Sequence, residues 1–148
     1  MLYEKKDLDI ARNPIQNINL INNINLNSLS CSGTNISNID VSFMPLLTLI
    51  DANGMPNLKS LNVRNGNNTS FIVGGFSAKN NPLLMCIQVD DVSFSDTNWS
   101  SNKDAQASFN TDCSTVWTVM TNPTTTTALL AISGLDADND GEITLAEA

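Results

Sequence analysis

The residues best suited to chemistry form an acidic loop over residues 136–147. Carboxylates stand at its first, third, fifth, seventh and last positions, and a glycine stands at the sixth. This spacing is typical of the twelve-residue EF-hand loop, because Ca²⁺ takes roughly six to eight oxygen ligands and the turn at the glycine gathers them. The seventh residue would contribute its backbone carbonyl, and the ninth would bind directly or through water. The predicted Ca²⁺ ligands are Asp136, Asp138, Asp140, Glu142, Thr144 and Glu147.

The alternative interpretation of this loop is an acidic turn that holds no ion. An EF-hand continues into a second helix after the loop. Here Glu147 is followed only by Ala148, and the sequence has no second loop of the same pattern with which to pair. The spacing of the carboxylates does not decide between the two interpretations.

Other catalytic and metal-binding groups are scarce. The sequence has no histidine, which excludes Ser-His-Asp triads and imidazole proton shuttles. Its three cysteines match no zinc-binding spacing. Asp90 and Asp91 are adjacent, so on a strand they would point to opposite faces, and we expect a solvated edge rather than a catalytic pair. We therefore expect no enzymatic activity from this chain.

An internal repeat organises the residues before the acidic region. Over residues 5–89, an apolar-x-x-apolar-x-apolar unit recurs, and only Lys5 among its positions is not apolar. The central positions are 8, 18, 29, 39, 50, 61, 76 and 87, so two units together span 21 or 22 residues, rising to 26 in the last pair. The last two apolar positions of a unit lie two residues apart, as on one face of a strand. Stacked turns would bury that face, which predicts four turns with two short strands each.

Asparagine is expected at the corners between these strands. Asn13, Asn23 and Asn81 stand five residues after a central apolar position, where a side-chain amide can bond the turning backbone of adjacent turns. Thr34 and Gly66 hold the equivalent places. The alternative is that these asparagines are ordinary loop residues. The outward strand positions are small and polar: Asp9, Ser30, Asp51 and Ser77 on one wall, and Asn19, Asp40, Asn62 and Gln88 on the other.

The repeat stops after residue 89, and the following segment is expected to cap the open end of the stack. Phe94, Trp99 and Phe109 would cover the exposed core. A disulfide between Cys86, in the last strand, and Cys113, at the end of the cap, would join the two. The third cysteine, Cys31, occupies an inward position and is expected to be a buried free thiol. The expected segments are a repeat region (1–89), a cap (90–113), a linker or final strand (114–123), and a helix with the acidic loop (124–148).

Three stretches carry a resemblance to a known group: residues 56–68, residues 81–91 with the sequence Cys-Ile-Gln-Val-Asp-Asp, and residues 98–99 together with 107–113. They resemble the leucine-rich-repeat proteins that Bacteroidota secrete, often by type IX secretion. The resemblance implies a mainly β, right-handed leucine-rich-repeat-like solenoid with two short strands per turn of about 21 residues, a C-terminal cap and a short terminal helix and loop. It also implies an extracellular or cell-surface module for protein or glycan binding, or for adhesion, without known catalysis. Because no signal peptide or sorting domain is evident, we expect the chain to be part of a longer protein.

The distribution of charge limits the classes of partner that we expect the chain to bind. The net charge of −8 disfavours binding to nucleic acid, and no apolar run is long enough to insert into a membrane. Residues 90–148 hold ten of the fifteen acidic residues and one of the seven basic residues, so the acidity points to a cation. Three functions stay open: a binding or spacing module, a calcium-dependent junction, and an accessory region of a secreted hydrolase. The sequence does not identify a ligand.

Overall fold

A computed structural model describes residues 6–114 of the chain. Residues 1–112 belong to one unit, and a second unit begins at Cys113. The described residues form eight short strands and one α-helix. The strands are β1 (Asp7–Asp9), β2 (Ser28–Ser30), β3 (Asn38–Asp40), β4 (Leu49–Asp51), β5 (Ser60–Asn62), β6 (Phe76–Ser77), β7 (Cys86–Gln88) and β8 (Ser108–Asn110), and the helix α1 spans Val92–Trp99. Two 3₁₀ turns cover Asn68–Ser70 and Ser100–Asn102.

The strands form two parallel four-stranded sheets. The first sheet has the order β1-β2-β4-β6, and the second has the order β3-β5-β7-β8. From β2 to β7 the chain visits the two sheets in turn, so each pair of successive strands is one repeat. This confirms the predicted mainly β, repeat-like arrangement.

The register of both sheets follows the apolar repeat. The central residues of the first sheet lie opposite one another in the order Leu8, Leu29, Ile50 and Phe76. Those of the second sheet follow in the order Ile39, Leu61, Ile87 and Phe109. All of them except Leu8 are buried. A slip of one residue would move every inward side chain of a strand to the solvent face, so burial fixes this register.

The repeat prediction is wrong at both ends of the second sheet. Ile18 was expected in a strand beside Ile39, but no strand is assigned there, and Ile18 packs only partly against the core. No described strand lies beyond it to pair with its outer side. At the other end β8 continues the sheet past the predicted stop, because Phe109 pairs with Ile87. The repeat is hidden at Phe109 because Gln106 and Thr111 replace two of the three apolar positions.

Helix α1 closes the core at the same end as β8, with aromatic side chains. Asp91 caps its N-terminus, accepting a hydrogen bond from the Phe94 amide at 3.0 Å. Trp99 stacks on Phe76, with ring centroids 4.5 Å apart, and also contacts Phe109 edge-on. The residues expected to cover the core therefore pack there. Within residues 6–114, no helix has the length and apolar character needed to span a bilayer.

The three cysteines are all buried. Cys86 and Cys113 are disulfide-bonded, which is the pairing that the sequence favours. Cys31 is a free thiol, as expected. Burial, with a smaller contribution from the negative charge of Asp51, raises the pKa of Cys31 to about 12.

Candidate functional site

The predicted Ca²⁺ site lies outside the described residues. This holds for all six expected ligands, Asp136, Asp138, Asp140, Glu142, Thr144 and Glu147. Across residues 6–114, no group of three or more His, Cys, Asp or Glu side chains is arranged to hold a metal ion. The calcium prediction therefore stays a prediction from the sequence.

Acidic and amide side chains close the turns that follow them, five at the ends of strands and one, Asn19, outside any strand. In each case the side-chain oxygen accepts a hydrogen bond from the backbone N–H two residues later, at 2.9–3.2 Å. Such Asx turns satisfy a backbone donor that leaves the sheet. The residues that do this are Asp9, Asn19, Asp40, Asp51, Asn62 and Asn110. Most of the outward polar positions therefore have a local structural role.

Two buried asparagines join successive turns of the repeat. The Asn81 side chain donates to the Ala52 carbonyl and accepts from the Met55 amide, both at 2.8 Å. The Asn65 amide donates to the carbonyls of Met44 and Leu47, at 3.0 and 3.2 Å. The predicted corner role is confirmed for Asn81. For the other corner, the sequence predicted the role at Gly66, but Asn65, one residue earlier, makes the bonds.

The other corner residues differ from the prediction of bonds between adjacent turns. Asn13 donates only to the carbonyls of Ile10 and Ala11 in its own turn. Thr34 donates to the Cys31 carbonyl, three residues earlier. Exposure of Asn13 to solvent explains the first case, because its amide has no need of a distant partner.

Two carboxylates complete these corners. Asp90 accepts from the amides of Gly66 and Asn68, at 2.9 and 3.0 Å. Asp104 accepts from the amides of Asn80 and Asn81, at 2.8 and 2.6 Å. The expectation of a solvated edge was thus wrong for Asp90, whose carboxylate is fully engaged. The role of Asp104 was not foreseen, because its partners lie more than twenty residues earlier in the sequence.

The structure exposes an apolar surface that the repeat does not explain. Seven large apolar side chains among residues 6–114 are exposed, and six of them lie on three segments that precede strands of the first sheet: residues 20–27 before β2, 41–48 before β4 and 63–75 before β6. We call these six residues the apolar corner: Ile21, Ile24, Phe43, Leu46, Ile72 and Val73. The connecting segments, residues 20–27, 41–48 and 63–75, contain one charged residue, Arg64. The available signal in the sequence was a set of apolar residues outside the repeat positions.

A surface pocket of about 280 Å³ lies at one end of the apolar corner. Its apolar lining comes from Ile18, Leu20, Ile21 and Phe43. Its polar lining comes from Asn19, Asn38 and Asp40, and Asp40 is the one charged residue of the lining. The pocket forms where residues 18–21 run beside β3 without entering the sheet. A concave apolar surface with a few polar groups is the usual form of a ligand site.

Comparison with protein-family models, with curated proteins and with solved structures finds no match to this chain.

Proposed function

We propose that the chain is a non-catalytic module that binds a protein or glycan partner through the apolar corner. The observation that carries this proposal is the exposure of six large apolar side chains on connections with a single charge. Scattered exposed apolar residues are normal, whereas a concentration of them on one side of a domain marks an interaction surface. Depletion of charge is also typical of the centre of protein interfaces.

The proposed scaffold is a right-handed leucine-rich-repeat-like solenoid. Three features support it: the alternation of strands between two parallel sheets, the continuous register of the central apolar residues, and the Asx turns repeated at the strand ends. Such a scaffold holds its corners at fixed spacing, because each turn is bonded to the next. It would present the apolar corner as a rigid surface.

We place this module outside the cell or on the cell surface. The disulfide between Cys86 and Cys113 supports an oxidising environment, because thiols are kept reduced in most cytosols. The resemblance to secreted repeat proteins points the same way.

The binding proposal can be tested with two matched leucines. Leu46 is 47% exposed on the apolar corner, and Leu83 is 42% exposed on a connection of the opposite kind, from the first sheet to the second. Biolayer interferometry would measure binding of the chain to a panel of immobilised glycans and purified cell-surface proteins. We expect binding to at least one probe that is lost in Leu46→Ser and retained in Leu83→Ser. Failure to bind any probe, or equal loss in both variants, would contradict the proposal.

A second candidate function is a calcium-dependent junction between this module and a following one. The observation that favours it is the spacing of oxygen ligands over residues 136–147. In that case Ca²⁺ would stabilise the chain without taking part in binding through the apolar corner, so the two functions can be separated experimentally.

A further inference from the structure

The pocket at the apolar corner offers an acceptor that the fold does not use. Asp40 directs its Oδ1 atom to the Ser42 amide, at 2.9 Å, in the Asx turn that follows β3. Its second oxygen, Oδ2, makes no hydrogen bond or ion pair with the described residues. Asn38 donates through its Nδ2 atom to the hydroxyl of Ser37, at 2.8 Å, which leaves its side-chain carbonyl as a second acceptor.

The rest of the pocket suits an aliphatic chain that ends in a positive charge. Phe43 is 37% exposed, and a ring of this kind attracts a cation over its face. Ile18 and Ile21 supply apolar surface beside it. Lysine and arginine side chains combine a methylene stem with a charged head, so they bury the stem against apolar groups while the head meets a carboxylate.

We propose that this pocket binds a lysine or arginine side chain of a polypeptide partner. The cationic head would lie at the Asp40 carboxylate, and the stem would pack against Phe43 and Ile21. Neighbouring apolar residues of the same partner would then cover Ile24 and Leu46. The proposal rests on the function proposed above and specifies the partner as an extended segment that carries a basic residue among apolar ones.

Charge complementarity is the reason to prefer this partner over a glycan. All lining residues come from residues 18–43, where Asp40 is the one charged residue, so the charge beside the pocket is negative and favours the approach of a basic segment. Asp40 is the only charge in the pocket lining, and Arg64 is the only charge on the connections that bear the apolar corner. A basic side chain therefore gains an ion pair in the pocket without opposing a nearby positive lining residue.

The test uses short peptides with blocked ends and two-dimensional ¹H–¹⁵N NMR of the full chain. One peptide carries a single lysine between leucines, a second carries arginine in its place, and a third carries norleucine. We expect the lysine and arginine peptides to shift the amide signals of residues 18–21 and 38–43. The norleucine peptide should bind about fivefold more weakly, as for the loss of one partly exposed ion pair.

Two matched variants make the test specific. Asp40→Asn removes the charge but keeps the turn, because Asn19 and Asn62 form the same Asx turn elsewhere in this chain. Asp51→Asn makes the same change at an outward position of the first sheet, outside the pocket lining. We expect about fivefold weaker binding of the lysine peptide in Asp40→Asn and no change in Asp51→Asn.

Other results would overturn the inference. Equal affinity for the norleucine peptide would show that the pocket does not recognise a cation. Equal loss in both variants would show a general charge effect, and shifts spread over the whole surface would show that the pocket is not the site. If any of these occurred while the Leu46→Ser result held, the apolar corner would still bind a partner, but one that is not basic.

Discussion

Asn68 and Asp90 hydrogen-bond each other in both directions. The backbone N–H of Asn68 donates to Oδ2 of Asp90 at 3.0 Å, and the backbone N–H of Asp90 donates to the side-chain oxygen of Asn68 at 2.8 Å. Asn68 is 2% exposed and also donates to the Val63 carbonyl. The pair anchors the connection over residues 65–75, where the sequence inserts extra residues into the repeat. The connection from β5 to β6 is thus held by Asp90, which follows β7.

We predict that Asp90→Ala lowers the free energy of unfolding by about 2 kcal/mol. The substitution leaves the amides of Gly66 and Asn68 without their acceptor, and an unsatisfied partly buried donor costs about 1–3 kcal/mol. Urea denaturation followed by tryptophan fluorescence would measure the change. Asp96→Ala is the control, because Asp96 is exposed on α1 and its removal should change stability by less than about 0.5 kcal/mol. Equal stabilities of the two variants would contradict the assigned role of Asp90.

Gly75 should tolerate no side chain. A Cβ atom there would lie 2.5 Å from the Thr48 carbonyl oxygen and 2.8 Å from that of Ile72, and both are backbone atoms. We expect Gly75→Ala to lower the free energy of unfolding by about 3 kcal/mol, because the backbone must shift to admit the methyl group.

The neighbouring glycine provides the control for this prediction. Gly74 has a φ of +74°, and a Cβ atom would meet nothing within 4 Å. Gly74→Ala should therefore show only the cost of a left-handed backbone, about 1 kcal/mol. Thermal unfolding by circular dichroism compares the two. A Gly75→Ala variant as stable as Gly74→Ala would show that the connection repacks freely.

The sequence predicted the parts of this fold that repeat. Central positions such as Leu29 and Ile50 recur at a regular period, and because they are buried they must be apolar, which shows the period in the sequence. The strand at Phe109 was not predicted because polar residues, Gln106 and Thr111, stand at the other two repeat positions of its unit. The role of Asp104 could not be predicted, because its bonds depend on which turn lies beside it. The pocket beside Phe43 depends on residues 18–21 running outside the sheet, and the repeat pattern predicts a strand there instead.

The disulfide should stabilise the end of the second sheet. Cys86 lies in β7 and Cys113 follows β8, so the bridge closes a loop that contains α1. A loop of this length favours the folded state by about 3 kcal/mol through restriction of the unfolded chain. We expect reductant to lower the melting temperature of the native chain and to have no effect on Cys113→Ala. A thiol assay on the denatured, unreduced chain should find one free thiol, and three would contradict the bridge.

Cys31 should be unreactive in the folded chain and should make stability depend on alkaline pH. Its pKa of about 12 in the folded state exceeds the ordinary value of 9.0, so above pH 9 the unfolded chain loses a proton that the folded chain keeps. Unfolding is therefore favoured as pH rises, by about 1.4 kcal/mol per pH unit between the two pKa values, whereas below pH 9 this group has no effect. The difference in unfolding free energy between the native chain and Cys31→Ala, measured at pH 8, 9 and 10, isolates this contribution.

At pH 8 iodoacetamide should modify Cys31 only after denaturant is added. Rapid labelling without denaturant would contradict its burial.

Calcium should bind the chain through the acidic loop and raise its melting temperature. The loop over residues 136–147 contains five carboxylates, which repel one another until a cation neutralises them. Because the ion would bind the folded loop in preference to the unfolded one, it should stabilise the chain by mass action. Differential scanning calorimetry with Ca²⁺ and with a chelator would measure the shift, and isothermal titration calorimetry should give a stoichiometry of about one ion per chain.

Asp136→Ala should abolish both effects, whereas Asp96→Ala should retain them, since Asp96 lies on α1 outside the loop. An unchanged melting temperature with Ca²⁺ in the native chain would leave the acidic turn without an ion and remove the basis for the junction function.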